Sequence, residues 1–197
     1  MTLSQRLLAW TPLWIAVIML GGIALADRLF PPPLERAYDL SPTLLDEDGK
    51  LLRAGTSPTG YWRLPTGLSD VDGHYVQALL AFEDRRFFRH DGVDYRSMAR
   101  AFVTSVQAGR IVSGGSTLSM QTARLLEPRP DRNLGAKVME ILRAWQLERR
   151  YTKEEILDFY LTTAPFGGNI EGAGAAAWRY FGKKPADLTW AESALMV

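Results

Sequence analysis

The chain has 197 residues, 47% of them hydrophobic, which suits one globular domain with its own core. Its 23 basic and 22 acidic side chains are spread along the chain, so no basic face for nucleic acid is indicated. Cysteine is absent and histidine occurs twice, which excludes disulfides, thiolate zinc sites, a cysteine nucleophile and multi-histidine metal sites.

An uncharged segment from Leu7 to Ala26 is rich in Leu, Ile, Val, Met and Trp. About 20 such residues cross the hydrocarbon core of a bilayer as a helix, so we predict one transmembrane helix. A cleaved signal peptide is the alternative, but the apolar region is long for one and contains Pro12. Arg6 precedes the span, which favours a cytoplasmic tail at residues 1–6 and a domain outside the cytoplasm.

Residues 27–40 contain Pro31-Pro32-Pro33 and predict a stiff juxtamembrane spacer. Residues 41–197 then predict one mainly α-helical domain with a small N-terminal β element. The strands of that element are expected at Pro42–Asp46, Lys50–Ala54 and Tyr61–Leu64, with the first two joined as a hairpin through the Asp-Gly turn.

Helical periods dominate from Ser69 onward. One helix carries Val76, Leu79 and Leu80 on a stripe that ends at Glu83, and Asp94 is expected to cap the next. A later helix is predicted to bury a stripe of apolar residues, namely Val138, Ile141, Leu142 and Trp145, and to leave Lys137 and Glu140 on another face.

Capping boxes predict two helix starts near the end of the chain, at Thr152–Glu155 and Thr189–Glu192. Gly167-Gly168 breaks the chain before an Ala-rich helix that ends near Gly182. Since Val197 follows the second box by only five residues, the last helix looks too short to pack, and we expect a domain cut within an element.

Three features are candidates for chemistry. Glu83 lies between the apolar run Ala78–Phe82 and two phenylalanines, a setting for a proton acceptor or donor; alternatively it is a surface acid paired with Arg85 or Arg86. The loop Ser113–Thr117 leads into a helix and suits anionic or sugar oxygens, or is an ordinary connection. The cations Arg124, Arg132 and Lys137 suit a diphosphate, or are solvated helix charges.

In their order along the chain, these segments resemble the peptidoglycan glycosyltransferase domain of class A penicillin-binding proteins, and most of all its 1C branch. The first motif is complete at Glu83–Asp94 and the second at Gly114–Gln121, although Met120 and Arg124 stand where many members have Gln and Lys. The third, Arg132–Glu140, has Ala136 in place of the usual Arg. In the fourth motif, Lys153–Thr162, Asp158 replaces the usual Glu and Thr162 replaces the usual Asn.

The resemblance implies a lysozyme-like, mainly α fold and polymerisation of lipid II into glycan strands at the bacterial inner membrane, on its periplasmic side. Glu83 would be the general base and Glu140 a second catalytic carboxylate, with Glu140 also the candidate holder of Mg²⁺ or Mn²⁺. The implied substrate-binding residues are Asp84, Ser116, Thr117, Gln121, Arg124, Arg132 and Lys137.

Lipid II, the growing glycan strand, the membrane and other cell-wall synthesis proteins are the expected partners. Two alternatives remain open at this point. A lysozyme-like enzyme would use a similar glutamate to cleave glycan. An inactive membrane-bound scaffold is the other, because the chain contains no Ser-x-x-Lys transpeptidase motif and ends before the last helices that the resemblance implies.

Overall fold

The computed structural model describes residues 14, 21–22, 24–25, 27–48, 50–109, 115–128 and 133–197. The chain divides into two compact units, residues 1–32 and 33–197. In the first unit, the described positions from Trp14 to Leu29 are helical. Most of the predicted span at residues 7–26 lies outside the described residues, and within the described part no helix has the length and apolar character needed to cross a membrane.

The second unit is mainly helical, as predicted. Its α-helices in the described ranges are α1 (Glu35–Tyr38), α2 (Gly73–Glu83), α3 (Tyr95–Ala108), α4 (Leu118–Leu126), α5 (Leu134–Arg150), α6 (Lys153–Thr163), α7 (Ala173–Phe181) and α8 (Trp190–Leu195). Its strands are β1 (Thr43–Leu45), β2 (Leu51–Ala54), β3 (Trp62–Arg63), β4 (Pro165–Gly167) and β5 (Ile170–Glu171). Short 3₁₀ turns occur at Leu68–Asp70, Phe87–Arg89 and Pro185–Asp187.

The predicted hairpin is confirmed, with β1 antiparallel to β2 and Thr43 opposite Ala54. The third predicted strand forms as β3 but pairs elsewhere. It runs parallel to β5, with Trp62 opposite Ile170, and β5 pairs antiparallel with β4. The strand β3 therefore pairs with a segment about 100 residues later in the chain. The alternation of apolar and polar residues along a strand does not specify its partner.

Residues 33–40, the second half of the segment predicted as a spacer, belong to the second compact unit. Ala37 of α1 is 5% exposed and joins the main core cluster. The chain is thus fastened to the domain immediately after the proline run.

Helix α4 is the centre of the domain and packs against both α5 and α6. Leu118 of α4, Leu147 of α5 and Ile156 of α6 have no exposed surface. Full burial of such a side chain stabilises the fold by about 1.5–3 kcal/mol, so this contact holds the second, third and fourth motifs together.

The prediction that one apolar stripe of α5 is buried is wrong at three of its four positions. Val138, Leu142 and Trp145 are 55%, 41% and 40% exposed, whereas Ala144 is completely buried. Small residues decide this helix orientation: a Cβ on Gly92 would lie 3.1 Å from the carbonyl oxygen of Ala144, so the loop and the helix backbone touch. A pattern weighted by large apolar residues does not detect such close approach.

Helix α8 also corrects a prediction, since it packs despite its six residues. It contacts α2, Ser193 is 1% exposed, and Met196 just beyond it is 8% exposed and belongs to the main core cluster. Its predicted capping box is confirmed: Oε2 of Glu192 accepts a hydrogen bond from the Thr189 amide at 2.8 Å.

This capping box predicts a pH dependence of stability. The Thr189 amide, followed by the Lys183 ammonium, lowers the pKa of Glu192 from 4.5 to about 2. Because the folded pKa is the lower one, the stabilisation is complete above the unfolded value and is lost as the pH falls towards the folded value. We expect Glu192→Gln to unfold at lower urea than the parent at pH 7, with the difference closing as the pH falls through that window; a difference that is constant with pH would contradict this.

Candidate active site

Glu83 is the last residue of α2 and is half-buried. Its Oε2 accepts a hydrogen bond from Nε2 of Gln121, on α4, at 2.8 Å. The apolar side of α2, with Tyr75 and Leu79 buried in the core, sets the position of this carboxylate. Gln121, predicted to bind substrate, thus contacts the predicted base and orients it.

Asp84 and Thr117, two further predicted substrate contacts, are engaged inside the protein. The Asp84 carboxylate is 5% exposed and faces Nε2 of His90 and the amide of Leu118, each at 2.9 Å. Thr117 is 2% exposed; its hydroxyl donates to the carbonyl of Gly92 and accepts from the amide of Met120. Both side chains join the first motif to the second and position Glu83.

Ser116, Lys137 and Glu140 form one hydrogen-bonded row. The Lys137 ammonium donates to Oγ of Ser116 at 2.7 Å and to Oε2 of Glu140 at 2.9 Å. On the other side of Glu140, Nη1 of Arg124 lies 4.0 Å from Oε1. The structure therefore brings four of the predicted residues together, while Arg132 lies outside the described residues.

The divalent cation at Glu140 stays a prediction, and the charges around this carboxylate do not favour it. Nowhere in the described ranges do three or more His, Asp or Glu residues stand close enough to hold an ion. Glu140 already accepts from Lys137 and faces Arg124, so a divalent cation beside it would meet like charges. The positive charge at this place comes from side chains.

Two cavities of similar size flank these groups. The lysine cavity, of about 500 Å³, is lined in part by Arg124, Lys137 and Glu140, and in part by Arg36, Arg143 and Glu171. The arginine cavity, of about 520 Å³, contains Glu83 and Ser116 in its wall, together with three cations that were not predicted as site residues, Arg85, Arg86 and Arg100.

The adjacency of Arg85 and Arg86 to Glu83 was a signal in the sequence, but it equally suits surface ion pairs. In the structure Arg86 pairs with Asp94, whose Oδ1 is 3.3 Å away, and Arg85 donates to the carbonyl of Ala81 at 2.9 Å. Arg100 approaches the site only through the packing of α3, which no local pattern predicts.

Two tyrosines share a smaller cavity, of about 240 Å³, with Glu83 and Gln121. Burial, and then the charge of Glu83, raises the pKa of Tyr160 to about 12. Burial likewise raises the pKa of Tyr75. Both phenols stay protonated at neutral pH, so Glu83 is the group in this cavity that suits a proton acceptor.

The two unusual residues of the fourth motif have structural partners. Oδ1 of Asp158 accepts from the amide of Leu68 at 2.6 Å. The Thr162 hydroxyl accepts from the amide of Thr66 at 3.2 Å and donates to its carbonyl at 3.1 Å. Both therefore hold the loop between β3 and α2 in this chain.

Several penicillin-binding proteins are similar in sequence to this chain. The chain is 44% identical over 173 residues to penicillin-binding protein 1C of Escherichia coli, covering 87% of this chain and 22% of that protein. It is 40% identical to penicillin-binding protein 1A of Pseudomonas aeruginosa, covering 76% of this chain and 18% of the relative. Penicillin-binding protein 1F of Bacillus subtilis is 36% identical, with 93% and 24% covered.

The chain spans less than a quarter of the length of these three relatives. The family profile described as transglycosylase matches residues 48–197, which contain Glu83, Gln121, Lys137 and Glu140. The chain therefore belongs to the transglycosylase family.

Proposed function

We propose that this protein is a peptidoglycan glycosyltransferase that polymerises lipid II into glycan strands. The observation that carries the proposal is the place of Glu83, which Gln121 holds in the wall of one cation-lined cavity. The hydrogen bond between Ser116 of that wall and Lys137 links it to the wall of a second such cavity. A reaction between two lipid diphosphates needs a base at the reacting hydroxyl and cations for each diphosphate.

In the acceptor half of the reaction, Glu83 removes the proton from the 4-hydroxyl of the acceptor GlcNAc. The oxygen then attacks the anomeric carbon of the donor. Gln121 holds the carboxylate at its Oε2. The arginine cavity, beside Glu83 and with Arg85 and Arg100 in its wall, takes the diphosphate of the acceptor.

In the donor half, the bond between the anomeric carbon and the phosphate oxygen breaks as the new glycosidic bond forms. The undecaprenyl diphosphate leaves with the bonding electrons. Lys137 and Arg124 stabilise this charge in the lysine cavity, with Arg132 as a further predicted contact. Glu140 orients the Lys137 ammonium through their 2.9 Å hydrogen bond.

The membrane setting is part of the same proposal. Both substrates are lipids of one leaflet, so an anchor at residues 7–26 would hold the domain at the periplasmic face of the bacterial inner membrane. The uncharged composition of that segment supports this assignment.

Incubation with purified lipid II tests the function. We expect undecaprenyl diphosphate release together with glycan products that lengthen with time, resolved by gel electrophoresis. A second incubation with preformed glycan tests the lysozyme-like alternative. If that glycan is shortened and no polymer grows from lipid II, the protein is a glycan hydrolase and the proposed glycosyltransferase activity is wrong.

Lys137 offers a further prediction. Lys137→Met removes the ammonium that contacts Ser116 and Glu140 and leaves a side chain of similar length. Loss of one such donor to a developing negative charge lowers turnover by about 10²–10³-fold. Lys50→Met, on the exposed hairpin, is the matched control and should retain the parental rate of lipid II consumption.

A further inference from the structure

A buried group of charges joins α1 to the wall of the lysine cavity. We call it the arginine cluster; its members are Arg36, Asp39, Arg63 and Glu171. Glu171 on β5, whose side chain is 6% exposed, pairs with Nη2 of Arg36 through one carboxylate oxygen and with Arg63 through the other. Arg63, with no exposed surface, also pairs with Asp39 at 3.0 Å.

The two arginines of this cluster differ in how fully they are used. Arg63 directs Nε to Glu171 at 2.9 Å and Nη1 to Asp39 and to the carbonyls of Arg36 and Asp39. Arg36 makes one ion pair and lies 5.1 Å from the centre of the Tyr61 ring. Within the part of the chain that the structure describes, Nε of Arg36 is buried without a hydrogen-bond partner.

Arg36 also differs in place, because it lines the lysine cavity and Arg63 does not. Its side chain is 24% exposed, and Glu171, its one carboxylate partner, is shared with Arg63. A guanidinium that is partly exposed at a cavity wall and shares its carboxylate partner with a second arginine is suited to bind phosphate or carboxylate oxygens.

The charges around the lysine cavity agree with an anionic ligand. In its described wall, Arg143 pairs with Glu127 at 2.8 Å, Lys137 with Glu140, and Arg36 with Glu171. Arg124 is then the cation in excess, since Glu140 at 4.0 Å is already bonded to Lys137. The described part of the cavity wall therefore carries net positive charge.

We propose that Arg36 is a ligand-binding residue of the lysine cavity and contacts the diphosphate of the donor from the side of β5. The residue lies before the segment that the family profile matches, which starts at residue 48. The inference rests on the proposed function for the identity of the ligand. It makes α1, at the start of the second compact unit, a part of the site.

Inorganic pyrophosphate is the probe, titrated calorimetrically into the full chain at low salt. Arg36→Gln should weaken its binding about tenfold, the loss that accompanies one charge-assisted contact. Arg53→Gln, on the exposed hairpin, is the matched control and should bind as the parent does. Parental affinity in folded Arg36→Gln, or no measurable binding to the parent, would overturn the inference.

Arg36→Lys covers the case in which Arg36→Gln does not fold, because it keeps the charge beside Glu171. Its single ammonium lacks the planar fork, so we expect pyrophosphate to bind severalfold more weakly; unchanged affinity would again contradict the proposal. With lipid II, the Michaelis constant should rise, and turnover should fall by less than in Lys137→Met, because Arg36→Lys keeps the positive charge beside Glu171.

The two proposals fail separately. If the parent polymerises lipid II and Arg36→Gln changes neither pyrophosphate binding nor the Michaelis constant, Arg36 is not a ligand-binding residue and the proposed reaction stands. If pyrophosphate binding depends on Arg36 but lipid II is not polymerised, the proposed reaction is wrong and the lysine cavity is an anion-binding site.

Discussion

Glu83→Gln should lower the rate of lipid II polymerisation by about 10³-fold, within the range for loss of a general base. The amide has the shape of the carboxylate but cannot accept a proton from the acceptor hydroxyl. It can still accept the hydrogen bond that Gln121 donates at 2.8 Å, so the geometry of the site should persist. The measurement is the initial rate of polymer formation from labelled lipid II.

Two controls separate chemistry from folding. Glu47→Gln makes the same chemical change on the exposed turn of the hairpin and should leave the rate unaltered. Glu83→Gln should also keep the parental unfolding midpoint and pyrophosphate affinity. Polymerisation at the parental rate by folded Glu83→Gln would remove Glu83 from the mechanism.

The largest expected effect on stability comes from Arg63→Met. Arg63 is completely buried, and its guanidinium serves Glu171, Asp39 and two backbone carbonyls. Its loss leaves buried acceptors without a donor, which costs about 3–5 kcal/mol of unfolding free energy. Urea unfolding followed by circular dichroism measures this difference.

Arg53→Met is the matched surface control for this prediction and should change the unfolding free energy by less than about 0.5 kcal/mol. The double variant Arg63→Met with Glu171→Met removes the stranded carboxylate as well, and should be less destabilised than the sum of its parts. A cost below about 1 kcal/mol for Arg63→Met alone would show that water or Arg36 replaces its contacts.

Much of the helical architecture could be predicted because its signals are local. The N-cap at Asp94, the capping box at Thr152 and the glycine stop at Gly182 each depend on neighbouring residues, and each forms as expected. The hairpin of β1 and β2 follows the same rule, since its two strands lie on either side of one turn. Local hydrogen bonds decide these elements.

The burial of α5 could not be predicted in the same way. The large apolar residues Val138, Leu142 and Trp145 suggested one face, yet Ala144 is the residue against which the Gly92 loop packs. Which side of a helix is buried depends on the shape of its neighbours, and a small residue that permits close approach carries a weak hydrophobic signal.

The candidate site, too, was predicted only in part from the sequence. The order of the motifs identified the site residues Glu83, Gln121, Lys137 and Glu140. In the structure Gln121 is hydrogen-bonded to Glu83, and Lys137 is hydrogen-bonded to Glu140. The resemblance placed Asp84 and Thr117 among the substrate-binding residues, and that role stays a prediction. Their near-complete burial and internal hydrogen bonds were not readable from the motifs, because a polar residue in a motif suits either kind of contact.

The sequence by itself determined the family of this protein, the helical class of its fold and the carboxylate on which its proposed chemistry depends, because motif residues and helix caps are written in short segments. Only the tertiary structure decided that Arg63 and Glu171 meet in a buried cluster and that Arg36 reaches the lysine cavity. Those contacts join residues far apart in the chain, and packing of the whole domain selects them.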